Sequence, residues 1–161
     1  MIRNAKFEDI PAIVELLQDA FSRSHYAREN VGAIDVKEAK RLLLQAIQRH
    51  GYSHGGACWV QVSESHGIVT GLILGTLVRV CVIGDKLMAT DLFWVASNIV
   101  EPGDPYALMK GMINWAKSCP EVVEVKCGST AIIRDNPEEA AAVLKRLGLK
   151  RYGVIYREAV R

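Results

Sequence analysis

The stretch Ala96-Ser-Asn-Ile-Val-Glu-Pro-Gly-Asp-Pro-Tyr-Ala-Leu-Met-Lys-Gly-Met-Ile-Asn-Trp-Ala116 decides how this chain is read. It leaves an apolar run, passes through Glu101, Pro102, Gly103, Asp104 and Pro105, and continues with Tyr106, Met109, Met112, Ile113 and Ala116 at helical spacing. The pattern predicts a strand end, a short loop and a helix that stops before Pro120. A loop that opens a helix presents unpaired backbone N–H groups and the positive end of the helix dipole, so the junction has the form of an anion cradle.

Working outward from it, residues 57–63, 68–80 and 87–96 are apolar, β-branched runs separated by turn residues, which predicts three antiparallel strands. Upstream, residues 1–6 make a short strand. Ile10, Ile13, Val14, Leu17 and Phe21 then mark a helix, and residues 22–32 have no period and read as a loop. A second helix starts at Asp35, with Glu38 as capping partner and Ala39, Leu42, Leu43, Ala46 and Ile47 on one stripe. Downstream, residues 122–127 form a buried strand, and a helix runs from Asn136 and Pro137 to Gly148. Residues 150–158 are expected to close the sheet. The order β α α β β β α β α β contains no repeat and no linker, so 1–161 is one domain.

The totals narrow the function classes. A chain of 161 residues that is 50% hydrophobic buries a substantial core. The net charge of +2 is mild, and the basic cluster Lys145, Arg146, Lys150 and Arg151 reads as cations at a helix C-terminus rather than a nucleic-acid surface. Cys58, Cys81, Cys119 and Cys127 are dispersed, as expected for reduced thiols of a cytoplasmic protein. The first ten residues hold no apolar leader run and no window reaches membrane-span length, so neither export nor a membrane is expected. His50 and His54 lack a neighbouring cysteine or carboxylate, so no metal is expected.

Three segments carry a family resemblance. Residues 2–17, Ile-Arg-Asn-Ala-Lys-Phe-Glu-Asp-Ile-Pro-Ala-Ile-Val-Glu-Leu-Leu, are one. Thr90-Asp-Leu-Phe-Trp-Val95, followed by the helix ending Asn114-Trp-Ala116, is the second. Leu144-Lys-Arg-Leu-Gly-Leu149 is the third. With the element order, they resemble the GNAT superfamily of acyl-CoA-dependent N-acetyltransferases over nearly the whole chain, in the style of phage and bacterial members. The resemblance implies an α/β (α+β) fold, a mixed, mostly antiparallel twisted sheet with about four helices on its two faces. It also implies acetyl-CoA as cosubstrate, an amine on a small molecule or protein as acceptor, and the homodimers common in the family.

In that family the pantetheine arm lies between diverging fourth and fifth strands, and the pyrophosphate sits on the loop before the third helix. By resemblance, Val95, Ala96, Ser97, Gly103, Tyr106 and Asn136 are the cofactor-binding candidates, and His25 and Tyr26 line the acceptor pocket. Asp91, the only carboxylate inside the fourth strand, is the candidate base. Leu144 stands where the family's acidic Tyr is expected, which leaves Tyr152 and Tyr156 as candidate acids. The loop departs from the family pattern: it has no Arg or Gln and a single Gly, Gly103. Asp104 is expected to cap the helix and occupy the donors a pyrophosphate needs. A unit charge about 5 Å from a phosphate opposes it by roughly 3 kcal/mol at an effective dielectric near 20. The alternative reading is therefore a catalytically weak or inactive GNAT-like binding or structural module, for example a phage-derived protein-interaction or virion component.

Overall fold

The computed structural model describes residues 1–129 and 136–160. In chain order the elements are β1 (Ile2–Asn4), a 3-10 turn (Phe7–Asp9), α1 (Ile10–Ser22), α2 (His25–Arg28), α3 (Val36–Gln48), β2 (Cys58–Ser65), β3 (Ile68–Arg79), β4 (Leu87–Ala96), α4 (Asp104–Ser118), β5 (Val122–Lys126) and α5 (Glu138–Arg146). The strands form one sheet in the order β1-β2-β3-β4-β5. The first four are antiparallel, and β5, reached through α4, runs parallel to β4.

The central position of β3 explains its composition. Its residues Thr70 to Leu77 are buried on both faces, which suits an unbroken apolar run rather than an alternating one. One face of the sheet packs Val60, Val62, Leu72 and Leu74 against Ile13, Val14 and Leu17 of α1 and Leu43 and Ala46 of α3. The other face packs Ile73, Leu77 and Ala89 against Leu108, Met109, Met112 and Ile113 of α4, with Leu144 of α5 beside them. Asp35 caps α3 by accepting the Glu38 N–H at 3.0 Å, and Gly148, at φ +89°, takes the left-handed turn that ends the α5 region. The α4 helix sits close to the sheet because Gly75 has no side chain: a Cβ there would lie 2.3 Å from Met112 Sδ.

The fold is thus the mixed, mostly antiparallel sheet with helices on both faces that the sequence implies, with three differences. Within the expected loop 22–32, a single helical turn, α2, forms because Ser24 Oγ accepts the Ala27 N–H. Asp104 does not cap α4. Gly103, at φ +108°, holds the cap position, and Asp104 is the first residue of the helix. Residues 150–158 do not close the sheet. They have no strand pairing and are exposed, Tyr152 by 82% and Tyr156 by 90%. The aromatic, β-branched composition of that segment expresses a preference for a pleated, half-buried surface, and here its contacts lie elsewhere. Lys126 Nζ stands 5.1 Å from the Tyr152 ring centre, and Arg157 pairs with Glu29 beyond α2. The outer side of β5 borders an open cleft of about 260 Å³ lined by Val122–Val125, Ile113 and Leu147–Leu149.

Candidate active site between two diverging strands

β4 and β5 pair only from Leu87 to Thr90 on one strand and Val122 to Lys126 on the other, whereas β4 continues on β3 to Ala96. The strands part at a bulge: Leu74 faces Phe93 and Gly75 faces Asp91, so Leu92 is the extra residue. A bulge bends and twists its strand, which turns the end of β4 away from β5. Asp91 sits at the fork, where its Oδ1 accepts the Gly128 N–H at 3.0 Å. Burial pushes its carboxyl above the ordinary carboxylate range, more than the Gly128 hydrogen bond pulls it down. The neighbouring Cys127 thiol is pushed up to about 12 by burial and by the Asp91 charge, which leaves it protonated and unreactive.

Beyond the fork, β4 has no strand partner on its β5 side. Ser97 N–H donates to the Thr70 carbonyl at 2.8 Å on the β3 side. Amide direction alternates along a strand, so the N–H and C=O of Ala96 face the opening, while those of Val95 face β3. Of the two backbone candidates, Ala96 is the one turned to the cleft.

At the head of α4, no side chain caps the helix. The Asp104 carboxylate accepts from Ser63 Oγ of β2, within a buried group that includes Thr70, 3.1 Å from Ser63 Oγ. Glu101 accepts from Ser65 Oγ at 3.4 Å. Both carboxylates are thus held toward β2, and the expected competition of Asp104 for the helix N–H groups does not occur. Of the amides that open the helix, Asp104 N–H goes to the Glu101 carbonyl and Ala107 N–H to the Gly103 carbonyl, and Pro105 has none. Among the described residues the Tyr106 N–H is left without a partner, while the Tyr106 ring carries Arg146 at 5.3 Å. A Cβ at Gly103 would meet nothing within 4 Å, so the approach to the loop is open. Asn136 Oδ1 accepts the Glu138 N–H at 2.9 Å at the start of α5.

The acceptor-side candidates lie on α2. His25 Nε2 is buried without a partner, and Tyr26 stacks on Phe21 with ring centres 6.1 Å apart. Arg157 stands 5.9 Å over the Tyr26 ring while pairing with Glu29. The segment from Tyr152 to Arg157 therefore runs from the end of β5 to α2, and Tyr152 and Tyr156 are both solvent-facing on it. Tyr156 is not brought to Asp91, and Tyr152 meets the fork only through Lys126, next to Cys127. His50 is a structural residue: it accepts the Val60 N–H at 2.9 Å, stacks on Trp59, and burial lowers its pKa. Sequence reasoning missed Arg23, whose Nη2 donates to the Ala96 carbonyl at 3.1 Å. The only signal for it is the i,i+4 spacing from Asp19, with which it pairs at 2.9 Å.

No protein-family model matches the chain, and no curated protein matches it either. Solved structures do match. A ribosomal-protein-alanine N-acetyltransferase from Brucella melitensis is 21% identical over 95% of this chain and 86% of its own, with a TM-score of 0.70. Glucosamine-6-phosphate N-acetyltransferase from Arabidopsis thaliana is 11% identical over 100% and 98%, with a TM-score of 0.69. A transcriptional regulator from Bacillus halodurans C-125 is 14% identical over 98% and 99%, with a TM-score of 0.68. At these identities the likeness is one of backbone architecture. The chain shares its backbone architecture, a GNAT-like mixed sheet with helices on both faces, with these solved structures.

Proposed function

We propose that the protein is an acetyl-CoA-dependent N-acetyltransferase acting on an amine, of a small molecule or of a protein. The observation that carries this reading is the fork. β4 leaves β5 at a bulge, turns the Ala96 amide group to the opening, and sets a half-buried carboxylate, Asp91, at its base. The cosubstrate brings an acyl group already activated as a thioester. What remains for the chain's own residues is to orient the acyl group, to accept the amine's proton and to exclude competing water. The Ala96 N–H on the β4 edge unpaired with β5 supplies a backbone hydrogen bond for orientation, its carbonyl being held by Arg23. Asp91, whose burial makes its carboxylate a stronger proton acceptor, takes the proton as the amine nitrogen bonds to the acyl carbon and the carbon–sulfur bond breaks. The sulfur receives a proton from solvent or from Tyr152, the tyrosine beside Lys126 at the open end of β5. His25 and Tyr26 on α2 form the acceptor wall. The free state of Cys58, Cys81, Cys119 and Cys127 supports a cytoplasmic setting.

The experiment is thermal unfolding with and without acetyl-CoA, followed by an amine screen that reads thiol release. Ligand at about 100 times Kd stabilises the native state by about 2.7 kcal/mol, roughly 5–10 °C for a domain of this size. A shift with acetyl-CoA, and thiol release with at least one amine, is the expected result. No shift at millimolar acetyl-CoA refutes the enzyme reading and favours a GNAT-like binding module.

A further inference from the structure

Residues 150–158, which do not join the sheet, are tied down at two points, and the two points stand on opposite sides of the fork. On one side the Tyr152 ring meets Lys126 Nζ, and Lys126 is the last residue of β5. On the other side Arg157 donates to both carboxylate oxygens of Glu29, from Nη1 at 3.3 Å and from Nη2 at 2.5 Å, and lies over the Tyr26 ring. Glu29 ends α2, and only Ser24 separates α2 from Arg23, which is bonded to the Ala96 carbonyl at the end of β4. The chain from Tyr152 to Arg157 therefore passes from the β5 side of the opening to the β4 side. Fully extended, it covers about 17 Å, against about 4.8 Å between paired strands, so it bridges the opening without drawing the strands together. Between its ties the segment touches little. Neither the amides nor the carbonyls of residues 150–160 enter a backbone hydrogen bond among the described residues, and Val154 and Ile155 are 55% and 82% exposed beside the exposed tyrosines. Large apolar and aromatic side chains so close together favour a state in which they are covered. At Gly153 an added Cβ would meet nothing within 4 Å, so the segment has room to swing just inside its first tie.

We propose that residues 152–157 form a strap that closes over the fork when acetyl-CoA fills it, with the Glu29–Arg157 pair as its latch, and so keeps bulk water from the thioester. This rests on the acetyltransferase reading above. A thioester in an open cleft is subject to hydrolysis, and closure of a segment over the reacting centre suppresses that side reaction. An acyl-pantetheine lying between β4 and β5 gives Val154, Ile155 and Tyr156 a surface to close on. The latch fixes the end of the strap beside α2. Both of its side chains are partly exposed, so the pair is weak and sensitive to salt, which lets the strap lift to admit the acceptor.

The test needs acetyl-CoA and no acceptor. Hydrogen exchange of residues 150–158, with and without saturating acetyl-CoA, reads closure, and thiol release in the absence of any amine reads hydrolysis. Both are measured on wild type, on Arg157→Glu, and on the double charge reversal Glu29→Arg with Arg157→Glu. In wild type, acetyl-CoA is expected to slow exchange in 150–158 by about tenfold or more. Arg157→Glu, which sets like charges face to face, loses that protection and releases thiol severalfold faster, and the double reversal recovers both. In about 1 M salt the wild type moves toward Arg157→Glu. A thermal shift with acetyl-CoA but unchanged exchange in 150–158 overturns the strap and leaves the acetyltransferase reading in place. An Arg157→Glu variant that matches wild type in both readouts does the same. A wild type that shows no thermal shift with acetyl-CoA refutes the acetyltransferase reading and the strap with it. The double reversal, which restores the pair in the opposite sense, carries the comparison with wild type if Arg157→Glu does not fold.

Discussion

Replacing Gly75 by alanine tests how the sheet carries the site. Gly75 lies in β3 opposite Asp91, at the bulge that parts β4 from β5. The added Cβ would stand 2.3 Å from Met112 Sδ and 2.8 Å from Met112 Cγ, with the Thr90 carbonyl oxygen at 3.4 Å. Met112 is fully buried among Leu108, Met109 and Ile113, so its thioether has no open space into which to swing. Overpacking of this kind costs about 1–3 kcal/mol, and removing a glycine from a strand returns roughly 0.5–1 kcal/mol. The expected net loss is about 1–2 kcal/mol, or roughly 2–8 °C in Tm for a chain of this length. Met112→Ala alone costs about 2–5 kcal/mol by opening a cavity. In the double variant the new methyl enters the space that Met112 vacates, so the two losses fall short of their sum by about 1 kcal/mol or more. Chemical denaturation of wild type, both single variants and the double variant checks this. A neutral or stabilised Gly75→Ala, or strictly additive losses, refutes the argument that the missing side chain at Gly75 seats α4.

Three further outcomes follow from the site. Asp91→Asn removes the proton acceptor, so the acetyl transfer rate falls by about 100-fold or more while acetyl-CoA binding persists; unchanged turnover in a steady-state assay excludes Asp91 as base. The same variant has a pH signature. A folded-state pKa raised above the unfolded one means that Asp91's favourable contribution is present at low pH and is lost as pH rises through the folded value. Asp91→Asn is therefore more stable than wild type near neutral pH, and the advantage disappears below the ordinary carboxylate range in urea titrations at the two pH values. Asp104→Asn keeps an acceptor for Ser63 Oγ and removes one negative charge near the loop. Acetyl-CoA affinity rises about two- to fivefold at low salt, and the gain fades in about 1 M salt, where screening acts within roughly 3 Å; calorimetry at the two salt concentrations decides.

Much of the fold is legible in the chain because apolar spacing is a local record of burial. The stripe Ile13, Val14, Leu17 marks α1, the stripe Leu108, Met109, Met112 marks α4, and the unbroken run around Leu72 to Leu77 marks a strand covered on both faces. The site is legible only in part. Asp91 stands out as a lone carboxylate within an apolar strand, and the Ala96 to Tyr106 junction announces a helix entrance. Residues 150–158 misled, because their composition expresses a preference for a sheet without naming an edge to join. Asp104 misled for a related reason: a carboxylate at a helix start is a natural cap, unless a closer donor from another strand takes it first.

The sequence by itself determined the main helices and strands, α1, α3, α4, α5 and β1 to β5, and the faces they bury, since those follow from side-chain period and turn chemistry within a few residues. Tertiary structure alone decided that the strands part at Asp91, that Ser63 and Ser65 draw Asp104 and Glu101 toward β2, and that Arg23 from α1 reaches Ala96 on β4. The physical reason is range. Periodicity acts between neighbours in the chain, whereas a hydrogen bond between residues 41 or 73 positions apart depends on where the packed core brings them.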